Sequence, residues 1–241
     1  MTHLFLSELK VSLRTPSVLF WDFLFPLALY FVFGAVYGSA YIIFLLPGLV
    51  GITMVSLSLF KSAIAFASNR QNGLFRMLFS AGISRAEYFL AHFLVNLMLA
   101  SLLFVVLIGL GRLQYGVTPS GSPFFAFVFV VAGCIIFYAL GFLIGSLSTN
   151  LESAVGAANF LFFGMLFLSG TYFPTNYLPP FLKSVSFVLP LTHFLKIFRA
   201  WWSGLPLGVA EVATSLGVIV AWLVASIYFG ARKLRWEVPA G

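Results

Sequence analysis

A chain of 241 residues that is 61% hydrophobic and only 8% charged carries more apolar surface than a water-soluble core of that length can hide. With a mean hydropathy of +1.08, most of it must be solvated by lipid, which excludes a soluble domain. No polar domain exists to present the formal charge of +7 as a nucleic-acid-binding face, so that charge reads as orientation of membrane segments and contact with anionic headgroups.

The opening stretch, "MTHLFLSELKVSLRTPS", mixes charges through its apolar residues and lacks the ordered regions of a cleavable signal peptide. Over residues 3–14, Leu4, Leu6, Leu9, Val11 and Leu13 lie among Glu8, Lys10 and Arg14, which predicts an interfacial helix on the cytoplasmic leaflet ending near Pro16. Apolar windows of about 20 residues, the length a helix needs to cross the hydrocarbon, then occur at roughly 18–37, 41–66, 88–110, 124–147, 151–171 and 209–230. The second contains Pro47 and Lys61, so its cytoplasmic end projects beyond the bilayer. Alternation in ten-residue blocks is absent, which argues against a β-barrel. The expected architecture is one all-α polytopic membrane domain over 1–241 with six transmembrane helices. The single Cys134 sits inside an apolar run and has no partner for an intrachain disulfide.

Between the second and third windows the pattern breaks for "SNRQNGLFRMLFSAGISRAEYF", residues 68–89. From Leu74 the apolar positions Leu74, Met77, Leu78 and Ala81 recur at helical spacing, with Asn72, Arg76 and Ser80 opposite. Gly82 then breaks the helix, and Ser84 with Glu87 three residues on forms a capping box for the next. A short cytoplasmic helix is predicted, and the pattern alone fits either a connector lying on the surface or a docking element.

The connection after the fifth window, "SGTYFPTNYLPPFLKSVSFVLPLTHFLKIFRAWWSGLP", is too apolar for an aqueous loop, yet prolines 174, 179, 180, 190 and 206 cut it into pieces. Proline suits the first turn of a helix and not its interior, so two short re-entrant helices, about 179–188 and 190–203, are expected in the outer leaflet. Trp201, Trp202, Tyr172 and Tyr177 suit the headgroup level. Non-helical backbone at that depth must be buried in protein or line a wet cavity.

Orientation follows from the basic residues. One side would carry Lys10, Arg14, Lys61, Arg70, Arg76, Arg85, Arg232, Lys233 and Arg235, the other Arg112, Lys183, Lys196 and Arg199. That asymmetry puts both termini in the cytoplasm.

Candidate chemistry is sparse. No HExxH, CxxC, Walker GxxxxGK[ST] or GxGxxG motif occurs, and no metal-ligating cluster is expected. The nearest nucleophile pattern is Ser169 with His193 downstream, but Phe167 stands where a glycine would be, and Ser-Gly at a helix end is turn chemistry. Asp22, His92, Asn96, Glu152 and Asn159 are the polar residues in or near the spans. Asn96 and Asn159 read first as hydrogen-bonding glue between helices and second as lining of a translocation path. Asp22 reads as paired with a Lys or Arg. Gly34/Gly38 and Gly141/Gly145 permit close helix approach, within the chain or between copies.

"NRQNGLFRMLFSAGISRAEYFLAHFL" resembles a segment of the ABC-2 type permeases, the membrane subunits of ATP-binding-cassette exporters. "FLSGTYFPTNYLPPFLKSVSFVLPLTHFLKIFRAWWSG" is similar to that family's span-5 ending: Leu-Ser-Gly, an aromatic-Pro pair, Leu-Pro, then Pro before an apolar helix with an Arg near its end. Gln71 departs from the usual acidic residue, and Leu74 from the Thr after Gly73.

The resemblance implies that the 69–82 segment is a coupling helix, with Arg70, Gln71, Gly73, Leu74, Arg76, Met77 and Leu78 docking in a separate ATPase. It also implies an outer gate at Gly170, Phe173, Pro174, Pro179 and Pro190, above a path at a homodimer interface. The chain would be a non-catalytic permease subunit of a bacterial or archaeal plasma (inner) membrane exporter for a drug, lipid or lipid-linked glycan. Two copies of the partner ATPase would bind ATP and Mg, with no cofactor on this chain and no nucleic acid partner. The rival readings are a non-exporting sensor or structural subunit paired with an ATPase, and a channel or secondary carrier.

Overall fold

Thr2–Arg14 forms the first helix, α1, in the computed structural model, which describes residues 2–14 and 20–233. Phe5 and Leu9 pack on the bundle while Leu6, Val11 and Leu13 stay exposed, the one-sided burial of an amphipathic helix. Lys61 Nζ donates to Ser12 Oγ at 2.7 Å, and Ser12 Oγ to Glu8 O at 2.9 Å, which ties α1 to the apolar body. Burial pushes the Glu8 carboxyl above its ordinary range, and the Lys61 ammonium opposes that shift. Pro16, the expected end of this helix, lies outside the described residues.

From residue 20 a helical backbone runs to Gln71. Its apolar part, Asp22–Gln71, is 50 residues long, far more than one crossing needs. Gly38 resolves this. Its φ of 72° with ψ of −167° is non-helical, a combination that costs glycine little and other residues a great deal. Ser56 Oγ donates to Asp22 Oδ1 at 2.6 Å, and Gly34 lies against Ile42. Both pairings centre near Gly38, so the chain doubles back there into two antiparallel helices, α2 (20–37) and α3 (39–71). Each contains a π turn, Phe20–Leu24 and Val55–Phe60.

The remaining helices are α4 (Leu74–Ser80), α5 (Arg85–Tyr115), α6 (Pro123–Leu147), α7 (Leu151–Leu168), α8 (Pro180–Val188), α9 (Pro190–Ser203) and α10 (Val209–Lys233). No strand occurs among the described residues. The Ser84–Glu87 capping box at the start of α5 is formed, with Ser84 N–H donating to Glu87 Oε2 at 2.9 Å. Pro180 and Pro190 each sit in the first turn of their helix, and α8 and α9 meet at 85°.

Helix α3 is the axis of the core. Leu45, Leu46, Leu49, Val55 and Leu57 along it are fully buried against residues such as Leu103 of α5, Phe137 of α6 and Phe198 of α9. The outer faces are apolar as well: Phe160, Phe163 and Phe167 of α7 and Val220, Val224 and Ile227 of α10 are exposed. An exterior of this kind suits hydrocarbon or a partner helix rather than water. Among the described residues, five stretches are long and apolar enough to cross a membrane, the first being the hairpin α2–α3.

Close approach to α3 depends on missing side chains. A Cβ at Gly141 would strike Ser62 Oγ and Leu59 O, and one at Gly145 would lie 2.7 Å from Phe66 Cβ. This pair is therefore a seam between α6 and α3 inside the chain. Gly34/Gly38 is no seam of that type, because Gly38 is the hairpin turn. Asp22 also departs from expectation: its hydrogen-bond partner is the Ser56 hydroxyl, with Lys61 acting on it only through its field. A hydroxyl one helix away gives the buried carboxyl group its hydrogen bond.

Gly48 on α3 allows the backbone of Thr171 to lie directly on it, since an added Cβ would collide with Thr171 O. Gly156 on α7, by contrast, has nothing within 4 Å of such a Cβ. Gly48→Ala should therefore lower stability by about 1–3 kcal/mol through overpacking. Gly156→Ala should be neutral or slightly stabilising, because alanine is the better helix former. Thermal unfolding of the two variants in detergent checks this, and equal melting temperatures would refute the contact.

Candidate functional site

Two regions hold the residues singled out by sequence, one at each end of α3. At the first, Asn72 closes α3 locally, its N–H donating to Ser68 O at 2.9 Å and its side chain to Ser68 Oγ at 3.2 Å. No acidic residue is used in that closure, and Gln71 is exposed. Gly73, with φ 68°, turns the chain into α4, and Gly82, with φ 76°, turns it out again.

Helix α4 is held by a small cluster of its own. Phe66, Phe75 and Tyr88 are buried together, with Leu78, Phe89, Tyr138 and Phe142 packed around them. The stripe Leu74, Met77, Leu78 and Ala81 is thus divided: Leu78 packs inward, whereas Met77 is 62% exposed. A hydrophobic stripe records which side chains avoid water, not whether core, lipid or partner covers each one. Gln71, Asn72, Gly73, Arg76, Met77 and Ser80 surround an open groove of about 500 Å³. Arg70 turns the other way. Its guanidinium donates to Ser146 O and Ser148 O, carbonyls at the C-terminal end of α6, a favourable place for a cation.

At the other end of α3, helix α7 stops at Leu168 and Gly170 takes φ 79°. Arg199 of α9 reaches into this break. Its Nη2 donates to Gly170 O at 2.6 Å and to Thr171 O and Phe44 O at 3.4 Å each, and the guanidinium carbon stands 3.9 Å from the Phe44 ring centroid. Tyr41 O–H donates to Tyr172 O, and Phe33 stacks on Tyr172 at 5.7 Å. The Leu-Ser-Gly and distal Arg of the sequence, 29 residues apart, are one hydrogen-bonded unit.

The other expected outer residues fall around it. Gly170 is buried, Phe173 is exposed, Pro174 precedes the 3-10 turn Thr175–Tyr177, Pro179 precedes α8 and the buried Pro190 opens α9. The corner between α8 and α9 leaves carbonyls that Pro190, lacking an N–H, cannot answer. His193 Nε2 donates to Phe187 O at 2.7 Å, and Trp222 Nε1 to Val188 O at 2.8 Å. The other imidazole nitrogen, Nδ1, lies 3.2 Å from Ser215 Oγ. Ser169 Oγ has no partner, and both nitrogens of His193 are engaged elsewhere, so no Ser169–His193 dyad exists. Trp222 and Ser215 were not legible as supports, since nothing in their local pattern distinguishes them from membrane-facing residues.

Of the two asparagines, Asn96 Nδ2 lies 3.3 Å from His92 Nδ1, one turn back on its own helix, so it does not bridge helices as expected. Its Oδ1 is buried without a partner. Asn159 is half-buried on α7, next to the 81% exposed Phe160. Neither lines the cavity that Pro174, His193 and Arg199 border. Among the described residues, no group of His, Cys, Asp or Glu could hold a metal ion.

A family model described as ABC-2 type transporter matches residues 1–202. Nodulation protein J of Rhizobium meliloti (strain 1021) is 27% identical over 203 residues, covering 84% of this chain and 76% of that protein. "ABC transporter G family member 20" of Dictyostelium discoideum is 26% identical over 204 residues, 83% of this chain and 28% of that protein. "Probable multidrug ABC transporter permease YbhS" of Escherichia coli (strain K12) is 23% identical over 195 residues, 80% of this chain and 50% of that protein. The aligned part thus spans half or less of the latter two relatives.

The arginine clasp makes its own prediction. Arg199→Met would leave the buried Gly170 and Thr171 carbonyls without this donor, at a cost of about 1–3 kcal/mol for hydrogen bonds to a charged group. Arg199→Lys should recover little, because a point ammonium cannot reproduce the planar fork that spans Gly170, Thr171 and the Phe44 ring. Thermal unfolding in detergent and protease cutting between residues 170 and 178 measure both. A lysine variant as stable and resistant as wild type would refute the geometry.

Proposed function

We propose a function from one premise: the chain belongs to the ABC-2 type transporter family. It is a multi-pass membrane subunit of the ABC transporter class. In our reading the six spans are α2, α3, α5, α6, α7 and α10, with α1 lying in the cytoplasmic interface and both termini inside. Two copies would pair with two copies of a separate ATP-hydrolysing subunit in a plasma membrane and export a hydrophobic or amphiphilic substrate. The uncovered apolar face of α7, with Asn159 half-buried beside Phe160, supports a second copy docking there around a path.

The observation that carries this reading is the shape of the α3–α5 elbow. A seven-residue helix is flanked by two left-handed glycines and anchored inward by Phe75 and Leu78. It presents Met77 and Arg76 outward beside an open groove. A mere connector has no need to hold an exposed methionine away from the apolar body. ATP-driven closure of the partner would move α4, and α3 would carry that motion to the outer end, where α8, α9 and the Gly170–Pro174 segment act as gate.

Two measurements test it. A cysteine at Ser84 should label only from the cytoplasm and one at Asn176 only from outside; labelling of both from one side would sink the six-span topology. Met77→Asp should abolish copurification of the ATPase and ATP-driven transport while membrane insertion persists, because interface anchors cost more than about 1 kcal/mol on loss. Arg76→Ala should weaken the complex less and more salt-dependently. A Met77→Asp protein that retains a stoichiometric, transport-competent ATPase would refute the docking role. With the complex in hand, substrate-stimulated ATP hydrolysis separates an exporter from a sensor.

A further inference from the structure

A cavity of about 670 Å³ opens among the segment after α7, α8, α9 and the start of α10. It is large enough for a polar headgroup and too small for a whole lipid. Its wall carries three cations, Lys183, Lys196 and Arg199, and one anion, Glu211. Lys196 and Glu211 satisfy each other at 2.7 Å. Lys183 forms no ion pair among the described residues, and Arg199 meets only carbonyls and the Phe44 ring. Two positive charges therefore line the cavity without a carboxylate counter-ion, and the buried Arg199 is the costlier of them.

Two of the residues that line the cavity, Ser169 and Arg199, also hold buried hydrogen-bond donors that are idle. Ser169, one of the lining residues, is 1% exposed and its Oγ has no partner. The bonds of Arg199 all leave from Nη2; Nε is buried and unpartnered, and Nη1 donates to no described residue. Unanswered buried donors beside unbalanced positive charge call for an anion with several acceptor oxygens. A guanidinium matches the oxygens of a phosphate better than a point acceptor. The rim adds an apolar shoulder: Phe187 and Val188 at the α8–α9 corner are 55% and 57% exposed.

We propose that this cavity binds the phosphate group of an anionic amphiphile, with Arg199 and Lys183 as its counter-ions, Ser169 as a hydroxyl donor and the acyl chains lying over the α8–α9 corner. The inference rests on the membrane reading alone and not on ATP-driven export, so its test uses no ATPase.

The full chain is purified into nanodiscs of phosphatidylcholine doped with phosphatidylglycerol, and the lipids it retains are measured by native mass spectrometry. Wild-type protein should retain phosphatidylglycerol over phosphatidylcholine. Lys183 is exposed, so Lys183→Glu leaves the fold intact, yet reversing its charge should cut retention roughly tenfold. Lys183→Arg should preserve retention. Inorganic phosphate is then added as competitor. Displacement of the lipid identifies the phosphate group alone as the ligand, while retention against it identifies the intact lipid, and either supports the site. Equal retention of the two lipids by wild type, or undiminished retention by folded Lys183→Glu protein, would overturn it.

Discussion

A carbonyl left open where no water can reach it must be answered by the protein itself. Most of the distinctive geometry of this chain follows from that constraint. Helix α6 ends in carbonyls that Arg70 answers from α3, and α7 ends in carbonyls that Arg199 answers from α9. The α8–α9 corner, opened by Pro190, is answered by His193 and Trp222. Arg70, Arg199 and Trp222 each come from a helix other than those that form the break they serve, while His193 of α9 answers the end of α8. Helix ends and tertiary packing are thus a single problem here, and an arginine at a helix C-terminus meets it with favourable charge as well as hydrogen bonds.

The second consequence is closeness. Donors reach backbone acceptors only if the helices approach nearer than ordinary side chains allow, and α3 is flanked by small residues where they do. Gly48 admits the Thr171 backbone, and Gly141 and Gly145 admit α3 against α6. In a membrane, where burial of apolar surface gives little drive for helices to associate, this contact area supplies much of the attraction. Gly111, Gly133, Gly141 and Gly145 accordingly lie against α3, while α7 and α10 show open phenylalanines and valines to the exterior.

Sequence showed where helices begin and end better than it showed what covers them. The Ser84–Glu87 box and the prolines at 180 and 190 are local signals with local causes, and each sits at an observed helix start. The hairpin turn was legible only as a gap between windows, since a single glycine suffices for it. Long-range partners were not legible at all. Leu78 and Met77 are equivalent in the stripe, yet one meets the Phe66 cluster and the other is exposed. Arg70 reads as a rim charge until the end of α6 is placed beside it, and Asn96 reads as interhelical until His92 is seen one turn below. Motif recognition did better with the outer region, because Leu-Ser-Gly and the distal Arg mark the two halves of one clasp, although the hydrogen bonds that unite them could not be read from either half.

Helix α3 links these two ends physically. Phe44 touches the Arg199 clasp, and 26 residues later Arg70 caps α6 just before the Gly73 turn into α4. At 1.5 Å per residue that separation is roughly 40 Å, about the thickness of a bilayer with its interfaces. A rod packed on all sides transmits displacement only if its contacts shift together, and α3 is buried without interruption over residues 45–59. Its one irregular section is the π turn Val55–Phe60, followed at once by Lys61, whose ammonium holds Ser12 of α1. Under the proposed function, force applied at α4 therefore meets a wider, less regular turn before it reaches the clasp. The junction with α1 is the place where a shift of α3 in register would have to be absorbed, since the hydrogen bonds at its two ends are too directional to yield first.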